Sequence, residues 1–203
     1  MNKRVVIIGA GGHSKVIADI VRENGDTVEG FLDDSYTEKR EFYSSFVVGK
    51  VSDYEKYKCD CEFIIAIGNN GVRKRISSEL DCKWYTAIHP KATVSKSARV
   101  GCGTCVMANA VINADACVGE HVIVNTGSIV EHDCVIGNYS HIAPKSVVCG
   151  VTTVGENVWL GAGSTVMHVL GICDNVMLGA GGVVVQNITE AGTYVGVPAR
   201  KIK

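Results

Sequence analysis

The sequence predicts two successive folds in one chain: an α/β unit with a small parallel sheet over residues 1–87, then a parallel β-helix of six-residue repeats over 88–189, with a short tail at 190–203. Three observations carry this. In the first part, apolar runs alternate with a glycine turn and with helically spaced residues. In the second, an aliphatic residue recurs at every sixth place. Charge is also redistributed: 27 Lys, Arg, Asp and Glu fall in residues 1–87 and only 10 in residues 88–189.

The first element is the run VVIIGAGGH, a buried-strand pattern broken by Gly9, Gly11 and Gly12. From Ser14 to Asn24 the apolar residues Val16, Ile17, Ile20 and Val21 repeat at helical spacing, so strand, glycine turn and helix follow one another. A second strand is expected from Thr27 to Leu32, ending in Asp33 and Asp34. A third, Phe63 to Gly68, leads through Asn69 and Asn70 into a helix reaching about Leu80. This describes a Rossmann-like unit of about three strands. Its glycine loop can bring backbone N–H groups to a pyrophosphate at a helix N-terminus, and an acid after the second strand can hold a ribose or sugar hydroxyl. Ser14 stands where a dinucleotide fingerprint carries Gly or Ala, and so short a sheet lacks the second mononucleotide half. A nucleotide-linked sugar therefore fits better than NAD; glycines that merely allow a tight turn are the alternative.

Read in steps of six from Ile88 and Val94 to Leu178 and Val184, the second part shows seventeen aliphatic residues without a miss. Four places after each the residue is usually small, as at Ala110, Cys134, Ser140 and Thr152. The place directly after is often glycine, as at Gly101, Gly119, Gly137, Gly155, Gly161 and Gly179. Neither period 2 nor period 3.6 produces this pattern, whereas short strands joined by tight corners do. Three hexapeptides close one triangular coil, so residues eighteen apart stack at about 4.8 Å. The narrow prism has no room for large rings, consistent with an aromatic content of 6%. The glycines are expected to supply corner conformations that a Cβ would make costly.

Composition narrows the functional classes. A net charge of −1 gives no electrostatic footprint for nucleic acid or an anionic membrane, and no apolar run approaches the length of a membrane span. A cytoplasmic protein acting on small molecules or proteins is expected. Nine cysteines is an odd number without a second CxxC or a finger-spaced His pair, so thiols rather than a metal site are expected.

The hexapeptide pattern, with the ending GVPARKIK, resembles the left-handed hexapeptide-repeat acyltransferases. That resemblance implies a left-handed parallel β-helix, a homotrimer with active sites in the clefts between prisms, and acetyl-CoA or another acyl-CoA as donor. Over the whole chain the segments GAGGH, FLDD, AIGNN, IHP and VEHDCVIGNYSHIAP resemble the PglD/NeuD family of sugar acetyltransferases. Membership implies N-acetylation of a UDP-4-amino-trideoxyhexose on a bacillosamine-type route, with O-acetylation of sialic acid as the alternative.

Acetyl transfer from a thioester needs a base for the attacking group, a donor for the tetrahedral oxyanion and a channel for the pantetheine arm. His132 stands at a hexapeptide corner and is followed by Asp133, which can orient the imidazole and stabilise its charged form. Gly150, eighteen residues on, stacks beside it and offers a backbone N–H to the oxyanion. The resemblance makes His132 the general base, with Asp133 raising its basicity, and likewise makes the Gly150 N–H the oxyanion donor. It assigns His141, Ala162 and Ala180 to acetyl-CoA, and Gly11, Gly12 and His13 to a nucleotide-sugar loop. Asp33 and Asp34 would recognise the uridine or ribose side, and Gly68 would line the same pocket. Asn125, just before the base, is expected to bind the acceptor sugar. His168 shares the corner column and is a candidate CoA contact. His141 lies half a coil from His132 and would meet it only across a subunit cleft; His89 and His121 are expected to be structural. A zinc hydratase on such a prism would need three His ligands with an HxxxxH pair, whereas His121, His132, His141 and His168 are spaced by 11, 9 and 27. A non-catalytic scaffold is disfavoured by the glycine loop together with the His-Asp corner.

Overall fold

The structure, a computed structural model, describes residues 2–203, which divide between Pro90 and Lys91 into two compact units. In the first, β1 (Arg4–Ile8), α1 (Gly12–Glu23), β2 (Thr27–Leu32), β3 (Arg40–Phe42), β4 (Ser45–Gly49), β5 (Glu62–Ile65) and α2 (Asn70–Glu79) follow in order. The sheet runs β3-β4-β2-β1-β5, with β4, β2, β1 and β5 parallel and β3 antiparallel at the edge. Five strands thus replace the expected three. The β3–β4 hairpin escaped the sequence because its turn, Tyr43 at φ 44° and Ser44 at φ 55°, uses neither Asn nor Gly.

Helix α1 buries Ile17, Ile20 and Val21 of the stripe its spacing announced, together with Ala18, whereas Val16 is exposed. On the other face of the unit, Val6, Ile8, Leu32, Phe63 and Ile65 pack with Ile76 of α2 into one apolar cluster. Asn69 caps α2, its side-chain oxygen accepting from the Val72 N–H at 2.9 Å.

The second unit is a left-handed parallel β-helix of two-residue strands on three sheets. From Thr93 to Val184 the ladder pairs join residues eighteen apart, for example Val111 with Ile129 and Cys117 with Val135. The aliphatic row is the core: from Val106 to Val184 each sixth residue is at most 4% exposed. The small companions are also inside, and several carry hydroxyls. Thr104, Ser140, Ser146 and Thr152 donate to the carbonyls of Gly119, Gly155, Gly161 and Met167, fifteen residues on, at 2.8–3.1 Å.

The corners are left-handed, but not at the glycines expected to make them. Positive φ, 52–69°, recurs at every sixth residue from Gly103 through Asp133 to Gly181, a different phase of the repeat. Gly101 and Gly161, which directly follow the aliphatic row, have no positive φ. They are glycine because coils approach there: a Cβ on Gly101 would sit 2.6 Å from the Gly119 carbonyl, and one on Gly161 2.6 Å from the Ala180 nitrogen. Residues 190–203 contribute two strands. Gly192–Val195 pairs in parallel with Val176–Leu178, and Arg200–Lys201 returns antiparallel to it.

Candidate functional site

Three corner columns run along the prism, and the candidate residues fall on two of them. His132 turns the chain from the sheet of Ile129–Val130 to that of Val135–Ile136. Its ring is more than half exposed, and Nδ1 lies 2.8 Å from Oδ2 of Asp133. Asp133 is the left-handed residue of this corner, at φ 57°, a conformation that short acidic residues tolerate. Its hydrogen bond raises the His132 pKa above the ordinary histidine value, with the Asp133 and Glu131 charges adding to the effect and desolvation opposing it.

The other ring nitrogen faces Gly150. A Cβ there would stand 2.7 Å from His132 Nε2, so any side chain would displace the ring. The two coils are also tied by the Val151 N–H, which donates to the His132 carbonyl at 3.0 Å. At equivalent corners the outward N–H groups of Glu120 and Glu156 are capped by the side chains of Asn138 and Asp174, at 2.8 and 2.7 Å. Gly150 has no such cap: among the described residues its N–H has no acceptor. An exposed basic nitrogen and an open N–H donor thus stand side by side.

His168 continues this column and is exposed. Val151 and Val169 hold left-handed φ of 61° and 60° directly after Gly150 and His168, a costly state for β-branched residues. With Thr153, Leu170 and Ile172 they line an open groove of about 680 Å³.

The second column holds Ala162 and Ala180, exposed and, among the described residues, likewise without acceptors for their N–H groups. Asn125 begins the same corner, so it is not beside His132 in one chain, although it precedes it closely in sequence. The structure instead joins Asn125 to His141: Asn125 Nδ2 and His141 Nε2 are 2.9 Å apart. The His141 ring is 6% exposed and packs on Trp159 at 4.2 Å between centroids. Trp159 went unnoticed in the sequence; the signal was a large ring eighteen residues from a histidine in a prism poor in aromatics.

In the first unit the candidates gather at the carboxyl edge of the sheet. Strand β1 lies between β2 and β5, so the chain turns opposite ways from β1 and into β5, the crevice where open α/β sheets bind ligands. Gly11 and Gly12 are exposed at the start of α1, and Ser14 Oγ accepts from the Gly11 N–H at 3.2 Å. Asp33 faces inward to the loop: it accepts from the Ala10 N–H at 2.7 Å and from the Ser35 N–H and hydroxyl. Partial burial raises its pKa, but these bonds outweigh that and hold it below the usual carboxylate range. Asp34 accepts from the Val51 N–H at 3.1 Å. Both acids therefore brace turns in this state.

His13 lies in the first turn of α1, past its N-cap Gly11, with Nε2 buried and, among the described residues, without a hydrogen-bond partner. Burial, then the nearby Arg73 charge, pushes it down to about 4, so it is neutral at physiological pH. Arg73 itself is buried and donates to the carbonyls of Ile67 and Gly68 at 3.0 and 3.1 Å and to Asn70 Oδ1 at 2.9 Å. Gly68 is thus fixed by a residue that carries no motif in the sequence, a cation one place after Val72 on the helix that buries Ile76.

Residues 4–80 match the model of the PglD N-terminal domain family. The chain is 39% identical over 113 residues to UDP-N-acetylbacillosamine N-acetyltransferase of Bacillus subtilis (strain 168), an alignment covering 52% of each protein; the chain thus spans about half the length of that curated relative. Among solved structures it superposes on the acetyltransferase domain of PglB from Neisseria gonorrhoeae FA1090 in complex with acetyl coenzyme A. That match has a TM-score of 0.93 and 35% identity, with 100% of each chain covered. It also superposes on PerB from Caulobacter crescentus in complex with CoA and GDP-perosamine, with a TM-score of 0.93 and 36% identity over 98% of this chain and 97% of that one.

Proposed function

Because the chain belongs to the PglD family of sugar acetyltransferases, we propose that it carries the acetyl group of acetyl-CoA to the 4-amino group of a UDP-linked amino-deoxy sugar. The observation that carries the chemistry is the His132 ring, held through Nδ1 by Asp133, with Nε2 against Gly150, whose N–H is open. The relatives supply the substrate class. One is named for UDP-N-acetylbacillosamine and another holds GDP-perosamine with CoA, both nucleotide-linked amino sugars, which favours an amine acceptor over a sialic acid hydroxyl.

The reaction needs no acyl-enzyme. The sugar amine attacks the thioester carbonyl carbon while His132 Nε2 takes its proton, and Asp133 stabilises the imidazolium that forms. The carbonyl oxygen becomes an oxyanion that accepts from the Gly150 N–H. Collapse breaks the C–S bond, and the protonated His132 returns its proton to the departing CoA sulfur. In the first unit, the exposed loop of Gly11 and Gly12 faces the diphosphate, while neutral His13 and Gly68 lie at the crevice for the nucleotide-sugar. At the second corner column and on its adjoining sheet, Asn125 and His141 with the N–H groups of Ala162 and Ala180 offer donors to sugar and acetyl-CoA. These two columns lie apart in one chain, which supports a homotrimer in which neighbouring prisms complete each site.

His132→Ala tests the reading. Its kcat with UDP-N-acetylbacillosamine should fall by at least about a hundredfold, while calorimetric affinity for acetyl-CoA stays nearly unchanged. Full turnover in that variant rules out His132 as the base. Turnover of GDP-perosamine or sialic acid in preference to the UDP-sugar would move the acceptor assignment alone.

A further inference from the structure

The N–H of Gly150, the residue against which the His132 ring packs, belongs to the peptide joining Cys149 to Gly150, and a peptide group is planar, so whatever holds its carbonyl also aims its N–H. Among the described residues that carbonyl receives one hydrogen bond: the Cys134 thiol donates to it at 3.2 Å, with a longer contact to the Val148 carbonyl at 3.9 Å. Cys134 is fully buried, one residue past the His-Asp pair, in the row of small inward companions. Burial pushes its thiol pKa up, so it remains a protonated donor.

The geometry follows the solenoid's own rule. Thr104, Ser140, Ser146 and Thr152 each reach the corner carbonyl fifteen residues ahead, and Cys134 reaches Cys149 in the same register. Only at Cys134 does the braced peptide carry the N–H beside His132. Of these five donors it is also the one that uses sulfur, a weaker donor than a hydroxyl. A donor on a carbonyl polarises the whole amide and strengthens the N–H on its far side.

We infer that Cys134 is a positioning residue for acetyl transfer: its thiol fixes and polarises the Cys149–Gly150 peptide so that the Gly150 N–H meets the developing oxyanion. This deepens the reading of Gly150 as the oxyanion donor and rests on it. The side chain touches neither substrate. Its loss should leave both KM values in place and lower kcat.

Three variants separate this role from simple packing. Cys134→Ala removes the donor, Cys134→Ser restores one, and Ser140→Ala deletes the equivalent structural bond at a corner without the base. With UDP-N-acetylbacillosamine, kcat should fall about threefold to tenfold in Cys134→Ala and stay at the wild-type level in both Cys134→Ser and Ser140→Ala. Should Cys134→Ala melt early, Cys134→Val serves instead, since Val122 and Val158 already occupy this register position. Isotope-edited infrared spectroscopy of bound acetyl-CoA gives a readout that needs no acceptor: the thioester carbonyl stretch should move to lower wavenumber on the wild-type protein and less so on Cys134→Ala or Cys134→Val. Equal stretches and equal kcat in wild type and both donor-free variants overturn the role of Cys134. An unshifted stretch on the wild-type protein would instead remove Gly150 as the oxyanion donor.

Discussion

At His132 the direction of proton movement is set by two neighbours. Asp133 holds Nδ1, which leaves Nε2 as the nitrogen that accepts, and the missing side chain at Gly150 lets that nitrogen stand beside an open N–H. The Asp133 hydrogen bond raises the histidine pKa, so the base form is lost at a higher pH than for a free imidazole. Since transfer needs neutral His132, kcat/KM should rise with pH along a limb above the ordinary value of 6.5. Asp133→Asn removes the charge that holds the proton, so the limb should move to lower pH while the plateau drops about tenfold, as expected for a weaker and less oriented base. A pH-rate profile of the variant checks both; a limb that stays in place means another group sets it. The sequence placed these three residues together because a period of eighteen is arithmetic. It could not show that Cys134 braces the peptide between Cys149 and Gly150, because the hydroxyl-to-carbonyl bonds that reveal the rule run fifteen residues, off the ladder register.

At the scale of elements, the strongly periodic segments were legible and those shaped by local strain were not. Strands β1 and β2, helix α1 and the whole aliphatic row follow from period, since burial of one face decides them. The β3–β4 hairpin and the phase of the left-handed corners did not, because Tyr43, Lys145 and Val151 adopt positive φ where glycine or asparagine would have announced it. The turn from β5 into α2 depends on buried Arg73, which three hydrogen bonds make tolerable. That same charge, after burial, keeps His13 neutral down to about 4. The consequence for stability has a definite sign. Above 6.5 His13 is neutral folded and unfolded; below it the unfolded chain takes up a proton that the folded one refuses, so stability falls as pH drops, and the loss is complete near 4. The limit is on the order of 3 kcal/mol from the size of that shift. His13→Gln should therefore lose less melting temperature than wild type between pH 6.5 and 4 in calorimetric scans of the full chain. Parallel losses in the two proteins would mean that His13 charges freely in the folded state.

For the whole molecule, the decisive fact is that one chain does not bring its own candidate residues together. His132, Asp133, Gly150 and His168 occupy one corner column, while Ala162, Ala180 and the Asn125–His141 pair belong to another corner and its adjoining sheet. A triangular prism cannot fold one corner onto the next, so the proposed site needs a second copy of the chain, which the homotrimer proposed above supplies at every cleft. In such a trimer each site takes His132 from one subunit and His141 from its neighbour. Two inactive variants, His132→Ala and His141→Ala, should then complement each other. If they are unfolded, mixed in equal amounts and refolded together, a given cleft draws an intact His132 from one kind and an intact His141 from the other with a chance of about one quarter, so about one quarter of wild-type activity should return. Mixing without subunit exchange should return none, which controls for contaminating wild type. If each chain instead held a complete site, refolded mixtures would stay as inactive as their parents, and the trimeric cleft would be wrong even with His132 still the base.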